Sequence, residues 1–319
     1  MTEKDCIKEN NRLIILTGPT AVGKTSLSIS LAQRVNGEII SADSMQVYKH
    51  MDIGSAKIKP EEMCGVKHHL VDILEPDEPF NVYIFKKLAL EAMNEIYANG
   101  HVPIVVGGTG FYIQALLYDM DFNDEDNHEI RAYLEDMANK LGAEKMYERL
   151  KSLDPEYAAT VHFNNVKRVI RALEYIELNG RKFSEYNEEG RAKESPYEFN
   201  YFVLNDDRER LYANIEKRVD IMFNEGLLDE VKALYDKGYT RDLISMQGLG
   251  YKELLDYFDN LCTLEEAKEK IKLETRHFAK RQLTWFRREK VTTFINKPDF
   301  DYDNDKILDF MIGEIYAKQ

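Results

Sequence analysis

The sequence predicts an α/β fold: a parallel sheet flanked by helices, with a helical insertion. Three observations carry this expectation. Short β-branched, apolar runs alternate with stretches of helical period, the pattern of repeated strand-helix units. The first such run ends in a glycine-rich turn that opens straight into a helix. From residue 121 to 197 the helical period persists without a comparable strand, so the core is expected to span 1–120 and 198–319 and the insertion 121–197.

In chain order, "RLIILTG" (12–18) is a buried strand and "KTSLSISLAQRV" (24–35) an amphipathic helix. "GEIISADS" (37–44) and "HVPIVVGGTG" (101–110) are two more strands ending in small or polar residues, with the amphipathic "YIFKKLALEAMNEIYANG" before the second. The insertion closes at the turn-rich, charged "SEYNEEGRAKESPYE", after which "FNYFVLN" (199–205) resumes the sheet. Two long helical stretches, 207–238 and 263–289, precede a last strand, "VTTFIN" (291–296), and a tail that is acidic and then amphipathic. Ligands of such a sheet gather at the carboxyl ends of its strands. Here those ends are Gly18 to Thr25, Ser41 to Ser44 and Gly107 to Gly110.

The chain has 319 residues, 44% of them hydrophobic and 31% charged, and no apolar run of about 18 residues that could span a membrane. Its start, "MTEKDCIKENNR", lacks the apolar centre of a signal peptide. Cys6, Cys64 and Cys262 are widely spaced with no CxxC pair, which suits a reducing compartment, so a cytoplasmic protein is expected. The net charge of -14 argues against general coating of nucleic acid and leaves that question to local patches.

"LTGPTAVGKTSLS" (16–28) fits the P-loop pattern, with the strand before and the helix after that the motif needs. Gly18, Pro19, Thr20, Ala21, Val22, Gly23, Lys24 and Thr25 are therefore expected to hold a diphosphate or longer polyphosphate. Successive backbone N–H groups form an anion nest, Lys24 adds a point charge, and the Thr25 hydroxyl can ligate Mg²⁺. The alternative is a glycine turn that binds nothing. Asp43, just past the second strand, reads either as a helix N-cap or as a carboxylate facing the phosphate site. In the second role it can hold Mg²⁺ through water or accept a proton from an incoming nucleophile. The strand "VPIVVGGTG" ends in glycines and Thr109 where many P-loop hydrolases place an acid, which weakens motor and switch readings but leaves small-molecule kinases open.

Basic residues cluster despite the acidic total. Lys167, Arg168 and Arg171 fall within about one helical turn. "TRHFAKRQLTWFRREK" carries Arg276, Lys280, Arg281, Arg287, Arg288 and Lys290, with Arg276, Lys280 and Arg287 spaced to share one helix face. Such runs are either solvated faces or a footprint for an anionic macromolecule. Arg218 joins them, unless it pairs with a neighbouring Glu or Asp. Cys64, His68 and His69 superficially suggest metal ligands, but adjacent histidines seldom point at one ion, so zinc is not expected.

Together "GPTAVGKT", "SADSMQVYKHMDIGSAK", "HHLVDI", "PIVVGGTGFY", "NVKRVIRALE", "GLGYKE" and "TRHFAKRQLTWFR" resemble the tRNA dimethylallyltransferases, also called tRNA isopentenyltransferases, in family order from about residue 13 to 290. The resemblance implies a P-loop kinase-like core, a helical insertion domain that contacts tRNA, and a compact bacterial form, expected to be a monomer. It implies transfer of a dimethylallyl group from dimethylallyl diphosphate to N6 of adenine 37, beside the anticodon, with Mg²⁺. Asp43 would be the base, with Lys24, Thr25 and Arg218 at the departing diphosphate. By the same resemblance the tRNA meets Asp43, Ser44, Met45 and Gln46; Thr109 and Arg131; Lys167, Arg168, Val169, Ile170 and Arg171; and Gln247, Gly248, Leu249, Gly250, Tyr251 and Lys252. The chemistry fits these residue types, because an adenine amine is a poor nucleophile that gains from positioning and from a base. A small-molecule or nucleotide kinase, and a prenyltransferase acting on free AMP or ATP, are the rivals.

Overall fold

The computed structural model describes residues 11–120, 128–192 and 194–317. Cys6 and the expected boundary near residue 121 lie outside the described residues.

Six strands form one sheet: β1 (Arg12–Thr17), β2 (Gly37–Ser41), β3 (His68–His69), β4 (Val102–Gly107), β5 (Glu198–Asn205) and β6 (Thr293–Asn296). Their order is β3-β2-β4-β1-β5-β6 and every pairing is parallel. β3 is the strand that sequence periodicity misses, because two residues carry no period. The registers Thr17↔Gly107, Thr17↔Val203 and Ser41↔Val106 bring the carboxyl ends of β1, β2, β4 and β5 to one edge. The approach there is close. A Cβ on Gly107 would lie 2.2 Å from the Ala42 carbonyl oxygen, so only glycine fits where β2 and β4 exit side by side.

The helix Lys24–Val35 starts after Gly23, whose φ of 96° is the left-handed geometry glycine adopts without strain. Its Leu27 and Leu31 pack with Ile14, Leu16, Ile104 and Phe202 in the core. The stretch expected as one long helix is two, Arg208–Glu225 and Leu227–Asp236, broken at Gly226 with φ 105°. A short helix, Tyr251–Phe258, follows. The helix Leu264–Phe286 opens with a capping box: the Thr263 hydroxyl accepts from the Glu266 amide at 3.2 Å and the Glu266 carboxylate accepts from the Thr263 amide at 2.8 Å.

At the amino ends of the strands, buried Glu38 on β2 is held by two imidazoles. His69 Nε2 lies 2.7 Å from one carboxylate oxygen and His101 Nδ1 2.5 Å from the other. His68 Nδ1 is taken up by the Val66 carbonyl at 2.9 Å. Among the described residues no three histidine, cysteine, aspartate or glutamate side chains gather where they could hold a metal ion together.

The chain divides into two compact units, Met1–Leu116 with Tyr197–Gln319, and Leu117–Pro196. The second is helical, with helices His128–Leu141, Ala143–Leu153, Pro155–Ala158, Val166–Asn179 and Phe183–Ala192. Leu134, Met146, Leu150, Val169 and Leu173 form its own core. Among the described residues no helix is long and apolar enough to cross a membrane.

Candidate active site

The glycine-rich turn after β1 is shaped by steric limits. Gly18 has φ 147°, and a Cβ there would lie 2.5 Å from the Leu204 carbonyl of β5. Lys24 Nζ donates to the Gly18 and Pro19 carbonyls at 2.9 and 2.8 Å. Burial and the nearby Arg218 guanidinium push its pKa down from 10.5 to about 7, against an upward pull from Asp43. Thr25 is exposed at the first turn of its helix. Val22 is buried in the core, so it shapes the loop from behind.

Asp43 caps a turn rather than a helix, since residues 44 to 59 hold no helix. Its Oδ1 accepts from the Met45 and Gln46 amides at 2.8 and 3.3 Å, which caps the turn. The same side chain lines two adjoining cavities. Arg218, on the helix Arg208–Glu225, lines both as well and has no ion pair among the described residues. Burial lowers its pKa while Asp43 opposes that shift. Lys24 and Arg218 thus converge on one space with a single carboxylate between them in charge, leaving a net positive site suited to an anion.

One cavity, about 370 Å³, is lined by Thr20, Ala21, Gly23, Lys24, Thr25 and Gln46, besides Asp43 and Arg218. The other, about 290 Å³, takes Ser44, Met45 and Thr109 on one side and Gln247, Gly248, Leu249, Gly250 and Lys252 on another. Ile215, Val219, Met222, Ile271 and Phe278 give it an apolar wall. Tyr251 is fully buried against Gly54 and Gly248, with its hydroxyl donating to Glu230 at 2.7 Å. That Glu230 carboxylate also accepts from the Asp52, Ile53 and Gly54 amides at 2.8, 2.7 and 3.0 Å, which fixes the loop bordering the cavity.

Sequence reasoning passed over Gln282. It is buried on the helix Leu264–Phe286, lines both cavities, accepts from the Thr20 amide at 2.9 Å and donates to the Gly108 carbonyl at 3.0 Å. Nothing in "TRHFAKRQLTWFR" marks this amide as the side chain that faces inward; only the packing does. Of the basic residues around it, Arg276 pairs with Glu216, whereas Lys280, Arg281, Arg287, Arg288 and Lys290 have no ion pair among the described residues. Arg281 borders the smaller cavity, 5.8 Å from the Phe278 ring centre.

On the second unit, Lys167, Arg168 and Arg171 are exposed on the helix Val166–Asn179, where the Asn165 side chain accepts from the Arg168 amide at 3.4 Å. Arg171 also reaches Glu174 at 2.9 Å, and Arg131 reaches Glu135 at 3.4 Å. Val169 and Ile170 are buried in that unit's core.

Residues 46–289 match the family described as IPP transferase, and residues 11–74 match isopentenyl transferase. The chain belongs to the IPP transferase family. It is 59% identical to a tRNA dimethylallyltransferase of Lachnoclostridium phytofermentans, over 91% of this chain and 93% of that protein. It is 48% identical to one of Geobacillus thermodenitrificans, over 95% and 97%. Among solved structures, a tRNA isopentenylpyrophosphate transferase of Bacillus halodurans is similar with a TM-score of 0.72 and 44% identity, covering 97% of this chain and 98% of that one. A eukaryotic dimethylallyltransferase, seen in crystallographic snapshots of its action on tRNA, is similar with a TM-score of 0.78 and 30% identity, covering 90% and 74%.

Proposed function

We propose that this member of the IPP transferase family is a tRNA dimethylallyltransferase, moving a dimethylallyl group from dimethylallyl diphosphate to N6 of adenine 37. The observation that carries the reading is the meeting of Lys24, Arg218 and Asp43 at a cavity bounded by a P-loop. The diphosphate lies in the P-loop, with residues 18–25 providing amides and Lys24 a charge. The apolar wall of Ile215, Val219, Met222 and Phe278 accepts the prenyl chain.

Catalysis follows from where charge appears. As the adenine amine attacks C1, the C–O bond to diphosphate breaks; Lys24, Arg218 and the loop amides stabilise the negative charge growing on the leaving group. Asp43 accepts the proton lost from N6, its turn bonds at Oδ1 holding the carboxylate in place. Thr109 borders the same space and orients the amine. The residues present fit Mg²⁺: the Thr25 hydroxyl is a hard oxygen donor on this cavity, and a hard cation would complete its shell with water and diphosphate oxygens. When bound, Mg²⁺ supplies further charge neutralisation at the diphosphate.

The exposed Lys167, Arg168 and Arg171, the segment Gln247 to Lys252 and the basic end of the helix Leu264–Phe286 grip the anticodon stem-loop while adenine 37 is extruded. Within these stretches Tyr251, Val169 and Ile170 act by packing, because their side chains are buried. The division of labour assigns the chemistry to 1–120 and 198–319, which supply part of the tRNA contact, and the rest of that contact to 121–197, in a monomeric cytoplasmic enzyme. The test is transfer of labelled dimethylallyl diphosphate, with Mg²⁺, to an A36-A37 anticodon stem-loop and to AMP. Label entering the stem-loop is expected; label entering only AMP, or neither, overturns the reading.

A further inference from the structure

Two turns border the cavities around Asp43: the P-loop after β1 and the Gly108–Thr109 turn after β4. They belong to different strands, and Gln282 touches both. Its amide is oriented by its partners. Oε1 accepts from the Thr20 N–H and Nε2 donates to the Gly108 carbonyl; the flipped amide would face donor with donor and acceptor with acceptor. Both partners are backbone groups, so the tie fixes the course of the chain in both turns at once.

Gly108 gives independent support. Its φ lies outside the left-handed region, so the backbone itself admits other residues. Yet a Cβ there would lie 2.1 Å from Gln282 Nε2, while the next group beyond the glutamine side chain, the Gly18 carbonyl, is 3.8 Å away. A side chain at 108 would thus push the glutamine amide out of place, while the turn itself would admit one.

We propose that Gln282 is a positioning residue for the transfer reaction, a strut that sets the spacing between the P-loop and the Gly108–Thr109 turn. The inference rests on the dimethylallyltransferase reading, in which the P-loop holds the leaving diphosphate and Thr109 lies on the side of the nucleophile. Losing the strut leaves each substrate its own contacts but misaligns the amine against C1, which lowers kcat more than it raises either KM.

Four proteins test it: wild type, Gln282→Ala, Gly108→Ala and the double variant, each assayed for kcat and for both KM values with the stem-loop and labelled dimethylallyl diphosphate. Each single variant should lose about 10- to 100-fold in kcat with KM changes of about threefold or less. The double variant should match Gln282→Ala, since with the amide gone the added Cβ meets nothing closer than the Gly18 carbonyl at 3.8 Å, an ordinary contact. Multiplying losses in the double variant, or single variants with unchanged kcat, would overturn the strut.

Gln282→Glu gives a second readout should the alanine variants fold poorly. Its carboxylate still accepts from the Thr20 N–H but has no proton to offer the Gly108 carbonyl, so half of the tie is lost. Its kcat should fall about 10-fold or more with both KM values within about threefold. A kcat equal to that of wild type overturns the proposal. An inactive wild type removes the functional reading and this role with it, whereas an active wild type with unaffected variants removes this role alone.

Discussion

At the scale of single residues, the site separates groups that titrate from groups that hold position. Asp43→Asn keeps an acceptor for the turn but loses the base, so turnover should fall about 10²- to 10⁴-fold while stem-loop affinity stays within about twofold. A variant that turns over normally would remove Asp43 from proton transfer. Lys24, with its pKa pushed to about 7, is half charged near neutrality. Diphosphate binds the charged form, so binding should draw in a proton above about pH 7 and weaken as pH rises further. Calorimetry in buffers of different ionisation enthalpy reads that uptake directly; no net proton uptake at about pH 8 would contradict it. The P-loop residues and Asp43 were legible from sequence, because glycines, lysine and a carboxylate at strand ends announce themselves by type. Gln282 was not, since a single amide inside a basic helix carries no signal of which way it faces.

At the scale of elements, β2 is pinned at its amino end by Glu38 between His69 and His101. Burial alone would raise the Glu38 pKa, but the hydrogen bonds from both imidazoles outweigh it and bring the value below the ordinary 4.5. A lowered carboxylate pKa adds stability that is present above the unfolded value and lost as pH falls through the folded one. Glu38→Gln should thus cost about 1–3 kcal/mol at neutral pH. It should also flatten the acid limb of a denaturation curve below pH 4.5. Parallel acid limbs in variant and wild type would refute this assignment. The "HHL" stretch superficially suggests metal ligands, and periodicity could not show a two-residue strand; in the structure His68 meets the Val66 carbonyl and His69 meets Glu38. The remaining strands were visible because each is a bounded apolar run. The break at Gly226 was not, since the apolar period runs on through it.

At the scale of the whole molecule, a chain of net charge -14 must meet a polyanion through local patches. Stem-loop affinity should therefore fall steeply with salt, and Lys280→Ala or Arg287→Ala should each reduce the log–log slope by about 0.7 to 0.9. A flat response would return that helix end to an ordinary solvated face. The sheet order also has a consequence in time. Its central strand, β1, is flanked by β4 and by β5, yet the second unit is made between them. During synthesis one edge of β1 stays open from Gly107 until Glu198 emerges, roughly 5 to 20 seconds at ribosomal rates. An open apolar edge is what chaperones bind and what nascent chains aggregate through. Ribosome-bound chains halted before Glu198 should hold chaperone, and those extended well past Asn205 should release it, while equal occupancy would show that the waiting edge is covered by other means.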